Sequence, residues 1–393
     1  MKILFSPCHY SYNESDVGSE PSWSFNIADR IGTKYPKSVV ITGFKKLTNQ
    51  KKYRIIELQK NKKKIELNYW NSIIFNLKYF FSTFRQLNDE SFDLIHHVLP
   101  FGLDLTFNFI PVFNLNKNVP FIVGPIQSPL SFDEKSKQNF PLKYLFKITS
   151  YLSTKTLQKA TKLIVINKFT KDLLLLKNIP AEKIEIISPG IDTKKFFYTP
   201  FNKKLSNKFK IITVGNLIKR KGINFIIMSM KEAIKKNKNI RLEIIGDGPE
   251  KGSLIKLVNK LKLYSYIKFR GHVSYRQIQK IYAKAHLFIN MSLSESWGQI
   301  YLEAMSSGLP VLTTKNAGSN EIFKDDLLWC LVKQKDYKTM AKKIIHFVEN
   351  PNLLRKLGKK IRQEAIVKYD WDKVVIPKYL RIYKQMIYEK TLS

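Results

Sequence analysis

With 393 residues, 44% of them hydrophobic and 13% aromatic, the chain is too apolar for disorder and long enough for two cores. Two cysteines, Cys8 and Cys330, exclude a disulfide framework and favour a reducing compartment. The formal charge of +37 leaves nucleic acid, an anionic membrane face or a general lysine bias; lysines occur almost everywhere and no RNP, zinc-finger or helix-turn-helix pattern is present, so no nucleic-acid partner is expected and membrane association fits better.

Met1-Lys2 runs straight into the strand-like Ile3-Leu4-Phe5 with no apolar leader and cleavage site, and no apolar run reaches the ~18 residues of a spanning helix. The expectation is a cytoplasmic protein, either soluble or peripheral on the cytoplasmic membrane face. Lys2 to Pro7 reads as a strand, Ser11 to Pro21 as a polar loop containing Gly18, and Ser22 to Ile31 as a helix. A strand, a glycine loop and a helix bring backbone amides to the carboxyl edge of a parallel sheet, where phosphate or sugar groups bind. Val39 to Thr42 is the next strand, followed by the basic segment Lys45 to Lys64, in which Lys62-Lys63-Lys64 reads as a solvated turn.

Tyr69 to Phe84 and Phe140 to Lys159 mix aromatic residues with lysines, a composition that suits either an amphipathic core helix or a helix lying on an anionic bilayer. Phe92 to Val98 is a strand ending in His96 and His97, of which alternation lets only one face a cleft. Pro120 to Gly124 is another strand, running into Pro125-Ile-Gln-Ser128. Lys162 to Asn167, Lys168 to Leu176 and Lys183 to Ile187 read as strand, helix and strand. Ser188-Pro-Gly190-Ile-Asp192 then breaks the pattern and marks a domain boundary.

Beyond it, Lys210 to Val214 leads into the loop Gly215-Asn-Leu-Ile-Lys-Arg-Lys221-Gly222 and a helix from Ile223 to Lys236. A cation on a glycine-flanked strand-to-helix loop is well placed for a diphosphate. Strands at Ile240 to Ile245 and Ile267 to Arg270 end in Gly246-Asp-Gly-Pro249-Glu250 and Gly271-His272-Val273. Tyr275 to Lys284 reads as a helix, Leu287 to Asn290 as a strand, Ser292 to Ser296 as turn and cap, and Ile300 to Ser307 as a helix stopped by Gly308, with a strand from Pro310 to Thr314. Gly298 lets amides at that helix start approach an anion, Glu303 inside the helix can accept hydrogen bonds from a vicinal diol, and Glu295 ahead of it can grip a second polyol. A sugar nucleotide offers a diol, a diphosphate and a sugar. Helices follow from Asp336 to Tyr369 and from Asp372 to Tyr388, and Asp370-Trp-Asp372, of DxD form, is explained by capping.

The segment Glu295-Ser-Trp-Gly-Gln-Ile-Tyr-Leu-Glu303-Ala-Met-Ser-Ser-Gly308-Leu-Pro-Val resembles the E-x7-E signature of family 4 retaining glycosyltransferases. Asp192 and Phe196 match that family's hinge pattern, and Asp16-Val-Gly18-Ser19-Glu20-Pro21 is similar to its acceptor-side loop. The resemblance is nearly continuous from Gly190 onward. It implies an α/β chain of GT-B fold, with two Rossmann-like, doubly wound parallel-sheet domains facing each other across a cleft. Residues 1–190 would bind acceptor and 191–371 the nucleotide sugar, with a terminal helix, 372–390, packing back on the first domain.

By resemblance, Lys221 would neutralise the donor diphosphate, Glu303 would bind the ribose and Glu295 the transferred sugar, with the backbone of Trp297, Gly298 and Gln299 near diphosphate and sugar and that around Gly271 near the base. Gly18 would sit on the acceptor side. Asn216 stands where many members carry arginine, which leaves Arg220 or Lys219 to substitute. The family's histidine near the sugar is replaced by Gly124-Pro125-Ile126-Gln127, and His97 is taken as its stand-in. No cofactor and no metal are expected. The donor would be a UDP- or GDP-sugar, and the acceptor a lipid-linked or oligosaccharide intermediate of bacterial surface polysaccharide or lipopolysaccharide. The rivals are a nucleotide-sugar epimerase of the same fold and a non-catalytic partner in a glycan assembly complex.

Overall fold

A computed structural model describes residues 1–14, 19–59, 69–98, 107–116, 118–128, 140–196 and 208–392. Its contacts separate two units, Met1–Pro189 with Trp371–Ser393, and Gly190–Asp370. In the first, the strands are β1 (Ile3–Cys8), β2 (Ser11–Asn13), β3 (Val39–Thr42), β4 (Phe44–Lys46), β5 (Arg54–Glu57), β6 (Leu94–Val98), β7 (Phe121–Ile126), β8 (Lys162–Val165) and β9 (Ile184–Ile186). The helices are α1 (Ser19–Lys34), α2 (Tyr69–Asp89), α3 (Phe109–Val112), α4 (Phe140–Lys159) and α5 (Lys168–Leu175).

The second unit alternates β10 (Phe209–Val214), α6 (Ile223–Lys236), β11 (Ile240–Ile245), α7 (Lys251–Lys260), β12 (Ile267–Gly271), α8 (Tyr275–Lys284), β13 (Leu287–Asn290), α9 (Gln299–Ser306), β14 (Val311–Thr314), α10 (Ala317–Ile322), β15 (Leu331–Val332), α11 (Tyr337–Glu349) and α12 (Pro351–Tyr369). A π-helical turn, Trp371–Val375, then leads into α13 (Ile376–Leu392), which returns to the first unit.

Among the described residues, seven strands pair in the order β5-β3-β1-β6-β7-β8-β9 and six in the order β12-β11-β10-β13-β14-β15. Every pairing within these two sheets is parallel. The central strands β1, β6, β7, β13 and β14 are buried along their whole length, because helices cover both faces of a parallel sheet, so their apolar residues run consecutively instead of alternating, with buried polar residues such as His96, His97 and Thr313 among them. Strand order reverses between β1 and β6 in one sheet and between β10 and β13 in the other, so each doubly wound sheet has a switch point at which the loops leaving two adjacent strands diverge.

Several local expectations are corrected. Helix α1 begins at Ser19, three residues before the expected start, because Pro21 falls in the first turn, where a missing N–H costs nothing. The polar loop before it contains β2, and the basic segment after β3 contains β4 and β5; β2 and β4 form a separate parallel pair. Strand β5 lies at the sheet edge and is at most half-buried, so only Ile55-Ile56 carries an apolar signal. Lys62-Lys63-Lys64 lies outside the described residues.

Neither histidine of β6 reaches solvent: both are 0% exposed. His96 Nε2–H donates to the Gly124 carbonyl at 2.9 Å, which leaves Nδ1 to accept from the Tyr383 hydroxyl of α13. The terminal helix is thereby keyed to the central strand. His97 points to the other side, edge-on to Phe121 with Asn108 beside it, and its Nε2 has no hydrogen-bond partner among the described residues. Burial pushes the pKa of His9, His96 and His97 down to about 3.

A base with a depressed folded-state pKa binds fewer protons than the unfolded chain, so its contribution to stability is complete above the unfolded value near 6.5 and is lost as pH falls through it. At one pH unit below that value each such histidine costs about 1.4 kcal/mol, or about 4 kcal/mol for the three. Urea unfolding at successive pH values should show this slope, and His97→Leu should remove roughly a third of it. Tyr383→Phe, which strands His96 Nδ1, should lower stability by about 1–3 kcal/mol at neutral pH.

Candidate active site

The chemistry-bearing residues of the second unit gather at its switch point, on the loops that leave β10 and β13. The first loop rises through Gly215 (φ +151°) into a 3-10 turn, Lys219–Lys221, and ends on Gly222 in a left-handed conformation (φ +62°) at the start of α6. Only glycine fits there, since a Cβ at Gly222 would lie 2.2 Å from the Met291 carbonyl oxygen. That carbonyl belongs to the second loop, and the Leu293 amide donates to the Arg220 carbonyl at 2.8 Å, so the two loops are stitched backbone to backbone.

The stitch brings Lys221 and Glu295 together, and the ammonium is hydrogen-bonded to Oε1 of the carboxylate. Ser292 Oγ donates to the same oxygen at 3.0 Å, and the Arg220 guanidinium stands 3.6 Å from Oε2 while also donating to the Ser294 carbonyl. Glu295 is buried and Lys221 nearly so. Asn216 and Lys219 are exposed, so the second cation beside this carboxylate is Arg220.

The second loop ends at Gly298 (φ +87°), where a Cβ would strike the Tyr301 ring at 2.4 Å. Tyr301 is wedged in place by its hydroxyl, which donates to Asn290 Oδ1 at 3.1 Å and accepts from Thr313 Oγ1 at 3.0 Å. Helix α9 therefore starts on a residue with no capping side chain, as does α6 on Gly222, whereas Ser274, Asn316 and Asp336 cap α8, α10 and α11. The first amides of a helix lack intrahelical acceptors, so two uncapped starts beside two cations form a ready anion cradle.

Glu303, the fifth residue of α9, is buried, and the Tyr282 hydroxyl donates to its Oε2 at 3.1 Å. Desolvation raises its pKa to about 7, against the smaller lowering by that hydrogen bond. Trp297 packs edge-on against Tyr369, its Nε1 buried without an acceptor among the described residues, and its carbonyl lies where a Cβ on Gly318 would sit. Gln299 Nε2 donates to the Gly190 carbonyl at 3.0 Å. Gly271 (φ +71°) ends β12, its carbonyl accepting from the Gly246 amide at 2.9 Å.

Of the residues singled out in the sequence, Lys221, Arg220, Glu295, Trp297, Gly298 and Gln299 converge on these two loops and the start of α9, with Glu303 further along that helix. His97 belongs to the core of the first unit, and Gly18 lies outside the described residues. Sequence reasoning missed Ser292, Asn290 and Tyr282, which hold the two carboxylates and the turn. Ser292 was read as a turn residue without its hydrogen bond to Glu295, whereas Tyr282 carries no local signal.

The fold is that of GT-B glycosyltransferases, with two Rossmann-like units. The structure of Anabaena HepE in complex with UDP superposes with a TM-score of 0.74 at 16% identity, covering 98% of this chain and all of that one. Residues 195–364 match the family described as Glycosyl transferases group 1, so the second unit carries a glycosyltransferase domain of that group. Among curated relatives, the alpha-monoglucosyldiacylglycerol synthase of Acholeplasma laidlawii is 28% identical over 185 residues, 44% of this chain and 46% of that protein. The uncharacterized glycosyltransferase MJ1069 of Methanocaldococcus jannaschii is 26% identical over 360 residues, 86% of this chain and 88% of that one. The chain spans about half the length of the first curated relatives it matches.

Removing one partner of a buried ion pair leaves the other charge uncompensated, so Lys221→Met should cost about 3 kcal/mol of stability in the second unit. Lys221→Met with Glu295→Gln should cost less than the sum of the two single changes. A double-mutant cycle by chemical denaturation measures the difference, and strict additivity would mean that the pair does not interact.

Proposed function

We propose that the protein is a retaining glycosyltransferase that moves a sugar from a nucleoside-diphosphate donor, UDP- or GDP-linked, to a lipid-linked or oligosaccharide acceptor of surface-glycan synthesis. The observation that carries this reading is the Lys221–Glu295 pair, with Arg220 beside it, set between the two uncapped helix starts. As the glycosidic bond to the diphosphate lengthens, negative charge gathers on the leaving phosphate and positive charge on the sugar ring. Lys221, Arg220 and the first amides of α9 stabilise the first; Glu295 exchanges its cation for the sugar. Losing one preorganised donor of this kind costs about 100-fold or more in rate. The countercharge comes from side chains and amides, with no metal ion taking part.

Glu303 accepts hydrogen bonds from the ribose diol in its ionised form. The cationic cradle is complementary to a nucleoside diphosphate such as the UDP in the structurally similar HepE complex, and the synthase relative supports a lipid acceptor, for which we propose the first unit. An epimerase would isomerise its donor without any acceptor, and a non-catalytic partner would bind donor without turnover.

Thermal-shift measurements against UDP-, GDP- and other nucleotide sugars should show stabilisation by one base family, about 2.7 kcal/mol at a hundredfold excess over Kd. Glu303→Ala and Lys221→Ala should abolish it. Because the Glu303 pKa is raised to about 7, its proton must leave before the diol can bind, so donor affinity should fall up to tenfold per unit as pH drops below 7. Glu303→Gln should flatten that profile. No stabilisation by any nucleotide sugar, or unchanged behaviour of the variants, contradicts the donor site.

A further inference from the structure

Among the described residues, the Glu303 carboxylate receives its hydrogen bond from a helix other than its own. The Tyr282 hydroxyl of α8 donates to Oε2 at 3.1 Å, and Oε1 has no partner among those residues. Strand order explains the meeting. The connections from β12 to β13 and from β13 to β14 cross the sheet in the same direction, and right-handed crossovers of one direction leave their helices on one face. Helix α8 therefore lies on the same side as α9, and side chains 21 positions apart in the chain meet.

The phenol is itself held. Tyr282 is 1% exposed, its ring tilted against Phe288 with centroids 6.0 Å apart and edge-on to Phe196 at 6.1 Å. Packing of this kind fixes the direction of the hydroxyl, and the oxygen that accepts from it is fixed in turn. The neighbouring charged groups are engaged or face solvent. Arg362 of α12 donates to the carbonyls of Ser306 and Phe196, Glu364 pairs with Lys368 at 2.5 Å, and Tyr369 stands edge-on to Trp297. On α8, Lys280 and Lys284 are exposed, and ahead of Phe196 the Lys195 ammonium pairs with Asp192 at 3.6 Å. Tyr301 of α9 bonds to Asn290 and Thr313, and β13 and β14 carry no charged residue. Two influences remain on Glu303: desolvation, which pushes its pKa up to about 7, and the phenol's hydrogen bond, which lowers it.

We propose that Tyr282 is a positioning residue of the donor site, holding one oxygen of Glu303 so that the other receives the ribose diol, and setting how acidic the medium can become before the donor is lost. The inference rests on the reading of Glu303 as the ribose acceptor. A carboxylate turns easily about its last torsion, whereas a diol needs acceptor lone pairs in a defined direction. Tyr282 removes that rotation before the donor arrives, so binding does not have to. The same hydrogen bond favours the ionised acid, so without it the proton is kept to higher pH.

Calorimetric titration of the full chain with UDP-glucose and with GDP-mannose, from acid to mildly alkaline pH, tests it. Neither diphosphate takes up a proton near neutrality, so the acidic limb reports on the protein. Wild type should lose affinity as pH falls through about 7. Tyr282→Phe keeps the ring and removes the donor, so its midpoint should rise by about one pH unit, with affinity about tenfold below wild type at the acid end and within about threefold at the alkaline end. Replacing Tyr282 with 3-fluorotyrosine, whose phenol is the stronger donor, should move the midpoint down, and this arm decides if Tyr282→Phe does not fold. Tyr282→Phe with Glu303→Gln should bind like Glu303→Gln alone, because the phenol acts through the carboxylate. If wild type binds neither nucleotide sugar, the donor reading fails and this inference with it. If wild type binds with the expected limb, three results overturn this inference while the donor site stands: Tyr282→Phe weakens affinity equally at every pH, the fluorinated protein keeps the wild-type midpoint, or the double variant binds more weakly than Glu303→Gln. Tyr282 would then serve packing only.

Discussion

A buried carboxylate cannot hold its charge without a partner, and in this protein the partner of Glu295 comes from 74 positions earlier in the chain, on a loop from the neighbouring strand. Lys221 reaches it because the strand order of the second unit's parallel sheet reverses between β10 and β13, so the loops leaving those two adjacent strands lie side by side. Gly222 and Gly298 have positive φ and no room for a side chain, and Gly318 likewise has no room, which lets three backbones close around the pair. The arrangement is costly to leave unpaired, and under the proposed function it re-pairs: a diphosphate would offer Lys221 and Arg220 a new anion as a polyol offered Glu295 hydrogen-bond donors. The structural need and the proposed chemistry are met by the same charges.

How much of this could be read in advance depended on how local each signal was. Strands such as β10, β11 and β13 are rich in isoleucine, leucine and phenylalanine, with Lys210, Arg241 and Glu243 the charged interruptions, and they stand out in the sequence. The turn from Ser292 to Gly298 was equally plain, since glycine, serine and an acid there serve the turn itself. The partnership of Lys221 with Glu295 was not, because strand order, unlike strand existence, leaves no local mark. For the same reason Asn216 drew attention as a missing cation, although Arg220 already stands beside the carboxylate. Tyr282 supports Glu303 from another helix and was invisible. Strands β4 and β5 were overlooked because edge and satellite strands bury too little to need an apolar run.

The two units divide their burdens differently. The first buries three neutral histidines and keys its terminal helix to the central sheet through His96 and Tyr383. The second concentrates paired charges and open amides. The position of His97, sealed in the core with one nitrogen unpartnered, suits a structural side chain better than a group that meets a sugar, and it shows how little a residue's place at a strand end says about the direction in which it points.

The central claim is that a nucleoside diphosphate takes the place of Glu295 as the partner of Lys221. A crystal structure of the protein soaked with UDP or GDP tests it directly. The account predicts a phosphate oxygen within about 3.2 Å of Lys221 Nζ, the first amides of α9 directed at the diphosphate, and the ribose hydroxyls on Glu303. An intact Lys221–Glu295 pair with nucleotide bound elsewhere would contradict it.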